Sequence, residues 1–269
     1  MPGRIAGAFE ALRRARRGGF IPYLTSCYPA PDESDRLALA LCEEGADILE
    51  LGVPFSDPLA DGPVIQRATE AALRAGGSLR SALEQAARIR SRQETPIVLM
   101  SYLNPVLRYG PGAFARDAVR AGVDGAILVD LPPEEEPALW EALRDAGLDT
   151  IAMVSPTTAP ARLPRIVQQA RGYVYVVARL GVTGAGGADP EIESLLDRLR
   201  AATSLPRCLG FGFDLESDLA RYRGRAEGII VGSALLGKLL EAPGPREREA
   251  AARAFASAFR SKLEKFAAG

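Results

Sequence analysis

Residues 43–51 read EEGADILEL, and the fold is decided there. A helical stretch ends at Gly45. An apolar residue follows, and then Asp47 enters a short apolar run. The joint recurs as RAGVDGAILV at 120–129 and DAGLDTIAMV at 145–154. Glycine tolerates the left-handed conformation that ends a helix. Three spaced copies therefore mark a repeated helix-to-strand connection. Working outward, eight apolar runs emerge at 20–25, 47–51, 96–101, 125–129, 149–154, 173–177, 206–209 and 227–231. They are continuous rather than alternating, as parallel strands covered on both faces are. Helical spacing fills 33–44, 63–75, 78–92, 112–121, 134–146, 160–170, 190–202 and 215–223. Eight strands and eight crossovers predict an α/β fold, a (β/α)8 TIM barrel. The stretches 2–17 and 245–267 read as extra terminal helices. No linker divides the chain, so residues 1–269 are expected to form one domain. A doubly wound sheet is the rival, but a G-x-G-x-x-G fingerprint after the first strand is absent.

Composition narrows the chemistry. The 269 residues carry 33 basic and 34 acidic side chains, a net charge of −1. That balance argues against a nucleic-acid partner or a polybasic membrane anchor. Histidine is absent, which excludes Ser-His-Asp hydrolysis and histidine-ligated zinc. The only lysines are Lys238, Lys262 and Lys265, so the first 237 residues offer no Schiff-base amine. Cys27, Cys42 and Cys208 form no close pair, which fits a reducing compartment. With neither a signal peptide nor a twenty-residue apolar run, the expectation is a cytoplasmic protein with no metal.

In TIM barrels the chemistry sits at the C-terminal strand ends. Glu50 lies inside the second apolar run, where a carboxylate needs a partner or a task. Burial would raise its pKa, suiting it to give and take a proton; a core ion pair is the alternative. Asp61 precedes Gly62-Pro63 and reads locally as a helix N-cap, or the residue before one. Four glycines within 181–187 make a loop that could cover the site or simply be flexible. Gly210-Phe211-Gly212-Phe213 and Val231-Gly232-Ser233-Ala234 end the seventh and eighth runs. Backbone N–H groups there, and the following helix N-terminus, suit a phosphate. The residues thus point to carboxylate acid–base chemistry on a sugar phosphate. They leave isomerisation, aldol-type cleavage and decarboxylation open.

LELGVPFSDPLADGPVIQ (49–66) resembles the signature of the tryptophan synthase alpha subunit family. MSYLNPV (100–106), LVDLPPEE (128–135), GVTGAGG (181–187), LGFGF (209–213) and IVGSAL (230–235) extend the resemblance in order over nearly the whole chain. It implies a lyase of tryptophan biosynthesis that cleaves indole-3-glycerol phosphate to indole and glyceraldehyde 3-phosphate. By the resemblance Glu50 is the acid–base group, Asp61 binds the indole N–H, and Tyr175 stands near the reacting carbon. Thr183 orients the aspartate from the loop. Gly184, Gly212, Gly232 and Ser233 clamp the phosphate. Tyr23, Met100, Ile127, Val129 and Phe211 line the indole pocket. No cofactor is implied for this chain. Pyridoxal phosphate is expected only in a partner beta subunit, which would receive indole within an alpha2-beta2 heterotetramer. The loops 53–60, 103–109 and 131–136 would face that partner. A free-standing lyase, or a non-catalytic activator of the beta subunit, would carry much the same pattern.

The sequence also departs from the family. Cys27 stands where glycine is usual. Asp214 follows the phosphate turn, where its charge could weaken phosphate binding. The stretch 221–227 lacks the usual Ala-Asp-Gly.

Overall fold

The computed structural model describes residues 3–178, 190–264 and 266. Among them the chain runs α1 (Arg4–Ala15), β1 (Gly19–Thr25), α2 (Pro31–Glu43), β2 (Leu49–Gly52), α3 (Pro63–Arg74), α4 (Leu79–Arg90) and β3 (Ile97–Ser101). It continues through α5 (Leu103–Tyr109), α6 (Pro111–Arg120), β4 (Gly125–Leu128), α7 (Pro137–Asp145), β5 (Asp149–Thr150), β6 (Ala152–Val154) and α8 (Leu163–Gln169). It ends with β7 (Val174–Val177), α9 (Pro190–Ala202), β8 (Arg207–Gly210), β9 (Gly228–Val231), α10 (Ser233–Glu241) and α11 (Pro245–Glu264).

The sheet order is β5-β4-β3-β2-β1-β9-β8-β7-β6, and every pairing is parallel. The two ends of that order are one interrupted strand. β5 pairs with β4 and β6 pairs with β7, with Ile151 between them donating its N–H to Ala126 at 3.0 Å. The sheet therefore closes on itself as a barrel, with the fifth strand as its seam. Every position of β1, β2, β3, β4, β8 and β9 is buried. This double coverage is why those runs show no alternation.

The repeated joint has one geometry. Gly45, Gly122 and Gly147 take φ of 92°, 79° and 102°. In each case the glycine N–H and the next N–H return to carbonyls of the helix just ended: Cys42 and Leu41, Val119 and Ala118, Arg144 and Leu143. This closure satisfies carbonyls that the helix end leaves free. Two of the three aspartates then reach sideways. Asp47 accepts the Phe20 N–H and Asp124 accepts the Ile97 N–H, both at 2.8 Å. Glu227 accepts the Arg207 N–H at 2.7 Å. One methylene longer, it thus does the same work where the family's aspartate is absent.

Two expectations change. The stretch 215–223 is not an α-helix; only Ala220–Tyr222 forms a 3₁₀ turn. Side chains there capture the backbone first: Asp214 accepts the Glu216 N–H, Asp218 accepts the Ala220 N–H, and Ser217 accepts the Asp214 N–H. Such local bonds compete with helix formation. α5 is an additional short helix after β3, in a stretch read as loop. Cys27 has φ of 64°, which explains why glycine suits that position.

Candidate active site

β2 places Glu50 in the barrel interior, in register with Tyr23 of β1 and Val98 of β3. It is fully buried. The Tyr173 hydroxyl, just before β7, donates to Oε1 at 2.5 Å, while Oε2 has no hydrogen-bond partner. Burial pushes the carboxyl up to about 8, against the pull of the Tyr173 bond. The group is therefore largely protonated at neutral pH. Among the described residues no cation acts on it, and no ion pair forms there.

Asp61 does not cap α3. The N-cap is Gly62, which has no side chain, and Asp61 turns toward the barrel mouth. Tyr102 donates to its Oδ2 at 3.3 Å and accepts the Ala60 N–H at 3.0 Å. Phe55 packs on the Tyr102 ring, with centroids 5.3 Å apart. Burial raises the Asp61 carboxyl to about 6, the Tyr102 bond opposing.

Tyr23 and Tyr175 feel both carboxylates, and burial raises both phenols first of all. Glycines make space for them. A Cβ on Gly52 would lie 1.9 Å from the Tyr23 hydroxyl oxygen, and one on Gly210 would lie 2.2 Å from that of Tyr175. A small cavity at the mouth is lined by Tyr23, Asp61, Met100, Tyr175, Phe211, Gly212, Gly232 and Ser233, together with Ile65 and Ile230. The end of β8 and the start of α10 thus stand opposite Asp61. The nine-residue helix α10 directs its N-terminus into this region, an arrangement that favours an anion. Val129 lines an adjoining cleft instead, and Ile127 is buried in β4 and lines neither space. Thr183 and Gly184 lie outside the described residues. Asp214 spends its carboxylate on its own turn, accepting from the Glu216 N–H and the Ser217 hydroxyl.

The family model described as Tryptophan synthase alpha chain matches residues 9–266. The chain belongs to the tryptophan synthase alpha chain family. The alpha chain of Gluconacetobacter diazotrophicus is 48% identical over 238 residues, 88% of this chain and 87% of that one. That of Thioalkalivibrio sulfidiphilus is 49% identical over 240 residues, 88% and 90% of the two chains. The crystal structure of tryptophan synthase subunit alpha from Legionella pneumophila superposes with a TM-score of 0.88 at 38% identity. It covers 98% of this chain and 100% of that one. A chain of Mycobacterium tuberculosis tryptophan synthase in its aminoacrylate-bound form gives 0.84 at 37% identity, over 96% and 100%. These alpha chains share the barrel described above.

Sequence reasoning missed Tyr102 and Tyr173, which hold the two carboxylates of this alpha chain. Tyr173 lies at the start of an apolar run and Tyr102 just after one, where tyrosine reads as ordinary core. The partnerless Glu50 was the only signal that a buried donor was required.

Proposed function

We propose that Glu50 and Asp61 divide between them the chemistry of this lyase, the cleavage of indole-3-glycerol phosphate to indole and glyceraldehyde 3-phosphate. The observation that carries the assignment is a carboxyl fully buried in β2 and raised to about 8, with a cavity-lining carboxylate raised to about 6, both felt by Tyr23 and Tyr175. Between those values one group is an acid and the other an anion.

Protonated Glu50 gives its proton to indole C3. The ring nitrogen becomes cationic, and Asp61, accepting its N–H, stabilises the charge. Glu50, now a carboxylate, takes the proton of the side-chain hydroxyl. A carbonyl forms there, the bond to C3 breaks, and its electrons restore the ring double bond and the nitrogen lone pair. Glu50 ends protonated, as it began. The protonated ring is the electron sink, so the step calls for neither a lysine nor a metal.

Tyr175 packs beside the reacting carbon, and Tyr23 and Met100 flank the ring. Gly212, Gly232 and Ser233 hold the phosphate through backbone N–H groups and the α10 N-terminus. By the resemblance, Gly184 would complete the phosphate clamp and Thr183 would orient Asp61. Ile127 is buried in register with the pocket residue Met100, and Val129 borders the pocket from the adjoining cleft.

The alpha chain family implies a beta-subunit partner. The arrangement proposed is an alpha2-beta2 complex in the cytoplasm, with pyridoxal phosphate held by the partner. No helix among the described residues is long and apolar enough to cross a membrane. Leu59, 94% exposed in the loop after β2, offers an apolar contact to the partner.

The test is cleavage of indole-3-glycerol phosphate by the purified chain, with and without a beta subunit from the same source. Weak activity alone and strong stimulation by the partner are expected. Full activity without stimulation would replace the complex by a free-standing lyase. Inactivity in both conditions would leave only an activator of the beta subunit.

A further inference from the structure

A separate cavity lies at the far end of the barrel. Gly18, Pro206 and Glu227 line it, and they stand just before β1, β8 and β9, so it belongs to the N-terminal strand ends. Its volume is about 240 Å³. A cavity of about 150 Å³ already admits benzene. The floor is apolar, with Phe9, Leu12, Ala226 and Phe266 all buried. Glycine at position 18 lets Phe266 close that floor, because a Cβ there would collide with its ring.

Three arginines stand around this floor. Arg13, Arg16 and Arg17 all line the cavity. Arg17 is taken by Asp47, at 2.6 Å and 2.7 Å. Arg13 and Arg16 are exposed and have no acidic partner among the described residues. Glu227, the one acid among the described lining residues, accepts from both the Arg207 backbone N–H and its guanidinium. A helix C-terminus favours cations in its last turn, which accounts for Arg13 and Arg14 of α1. It does not account for Arg16, which follows that helix in left-handed backbone with φ of 51°. Glycine takes this conformation without strain. Arginine bears a backbone cost there, and what it adds over glycine is a guanidinium at the edge of the cavity.

We infer that this cavity binds a one-ring aromatic carboxylate, its ring on Phe9, Leu12 and Phe266 and its carboxylate between the guanidinium groups of Arg13 and Arg16. A guanidinium fork matches a carboxylate with two parallel hydrogen bonds, and it also stacks on an aromatic face. The apolar floor takes the ring out of water. This site lies at the opposite strand ends from Glu50 and Asp61 and does not rest on the indole-3-glycerol phosphate reading. Its occupant would touch α1, Phe266 just beyond α11, and the turns that enter β8 and β9. It would therefore tie both terminal helices to the barrel, and binding only the folded chain would stabilise it.

The test is an NMR titration of the purified chain with benzoate, benzamide and acetate, with thermal midpoints measured alongside. Benzoate should bind at one site and raise the midpoint. Benzamide keeps the ring without the charge, and acetate keeps the charge without the ring. Each should bind at least about tenfold more weakly than benzoate. Arg13→Gln and Arg16→Gln should each weaken benzoate about tenfold, the scale of one charged hydrogen bond, and leave kcat for indole-3-glycerol phosphate unchanged. Arg16→Gly should weaken benzoate as much without lowering the midpoint of the ligand-free chain, a separation that a purely structural arginine would not show. A saturating substrate analogue, an indole ring bearing a three-carbon phosphate chain without hydroxyls, should leave benzoate binding unaltered. Equal binding of benzamide and benzoate, or of the native chain and the arginine variants, would overturn the carboxylate site. So would displacement of benzoate by the analogue, which would place the acid in the substrate site instead. Absence of saturable benzoate binding to the native chain would overturn it outright.

Discussion

The two ends of the barrel treat their acids in opposite ways. At the N-terminal end Asp47 accepts a backbone N–H and lies 2.6 Å and 2.7 Å from the Arg17 guanidinium. Asp124 accepts the Ile97 N–H and pairs with Arg90 at 2.7 Å and Arg4 at 3.3 Å. At the other end Glu50 and Asp61 each have one tyrosine donor and, among the described residues, no cation acting on them. The first arrangement holds charge in place, joining helices to strands. The second lets burial raise the carboxyls, Glu50 to about 8 and Asp61 to about 6. Surroundings alone make one acid a brace between elements and give the other the raised pKa that the proposed proton transfer needs.

The largest break in that contrast is expected from Glu50→Gln. It should lower kcat by at least about 10²-fold, since no other group can move both protons. The variant should also reveal what Glu50 costs the fold. A raised pKa means the folded chain holds its proton more tightly than the unfolded chain. Stability contributed by the neutral group is therefore present at low pH and is lost as pH rises from the ordinary carboxylate range through about 8. Denaturant titrations at pH 5 and pH 9 should show the native chain losing up to about 4 kcal/mol relative to Glu50→Gln. Equal pH dependence in the two would mean Glu50 is not buried as a neutral acid.

Asp61→Asn should come next, with kcat reduced about 10²–10³-fold, the usual effect of losing an electrostatic partner for developing charge. Its thermal midpoint should hardly move, because Asp61 caps nothing. At the other end Asp124→Asn should do the reverse. It removes the partner of two arginines, so stability should fall by about 3–5 kcal/mol while kcat at low temperature is kept. Loss of kcat without loss of stability there would erase the distinction between the two ends.

The smallest change concerns pH. kcat/KM should fall below about pH 6, as Asp61 takes up a proton, and above about pH 8, as Glu50 loses one. Tyr173→Phe removes the one bond that favours ionised Glu50. The alkaline limb should move up by about one unit while the acid limb stays. Movement of the acid limb instead would assign it to Glu50.

The barrel was legible because its joints repeat. Three glycines with three aspartates disclosed the connections, and continuous apolar runs disclosed strands buried on both faces. The stretch 215–223 misled because leucine and alanine spacing says nothing about Asp214, Ser217 and Asp218 taking the backbone N–H groups. Asp61 was half legible: it does stand just before the N-cap, Gly62, but only tertiary packing turns its carboxylate toward Tyr102. Glu50 could be read from one fact, a carboxylate in an apolar run. Its partner could not, because Tyr173 is 123 residues away in sequence.

The seam at Ile151 divides the labour as well as the sheet. Everything assigned to proton transfer and charge stabilisation, Glu50 and Asp61, comes before it. The turns at Gly212 and Gly232, proposed to hold the phosphate, come after it. A molecule gripped by its phosphate on one side and protonated on the other acts as a staple between two half-barrels. Substrate should therefore oppose separation of the halves, most strongly at the fifth strand, where β5 offers only two residues of pairing. In this barrel the reactant is also a structural member while it is bound.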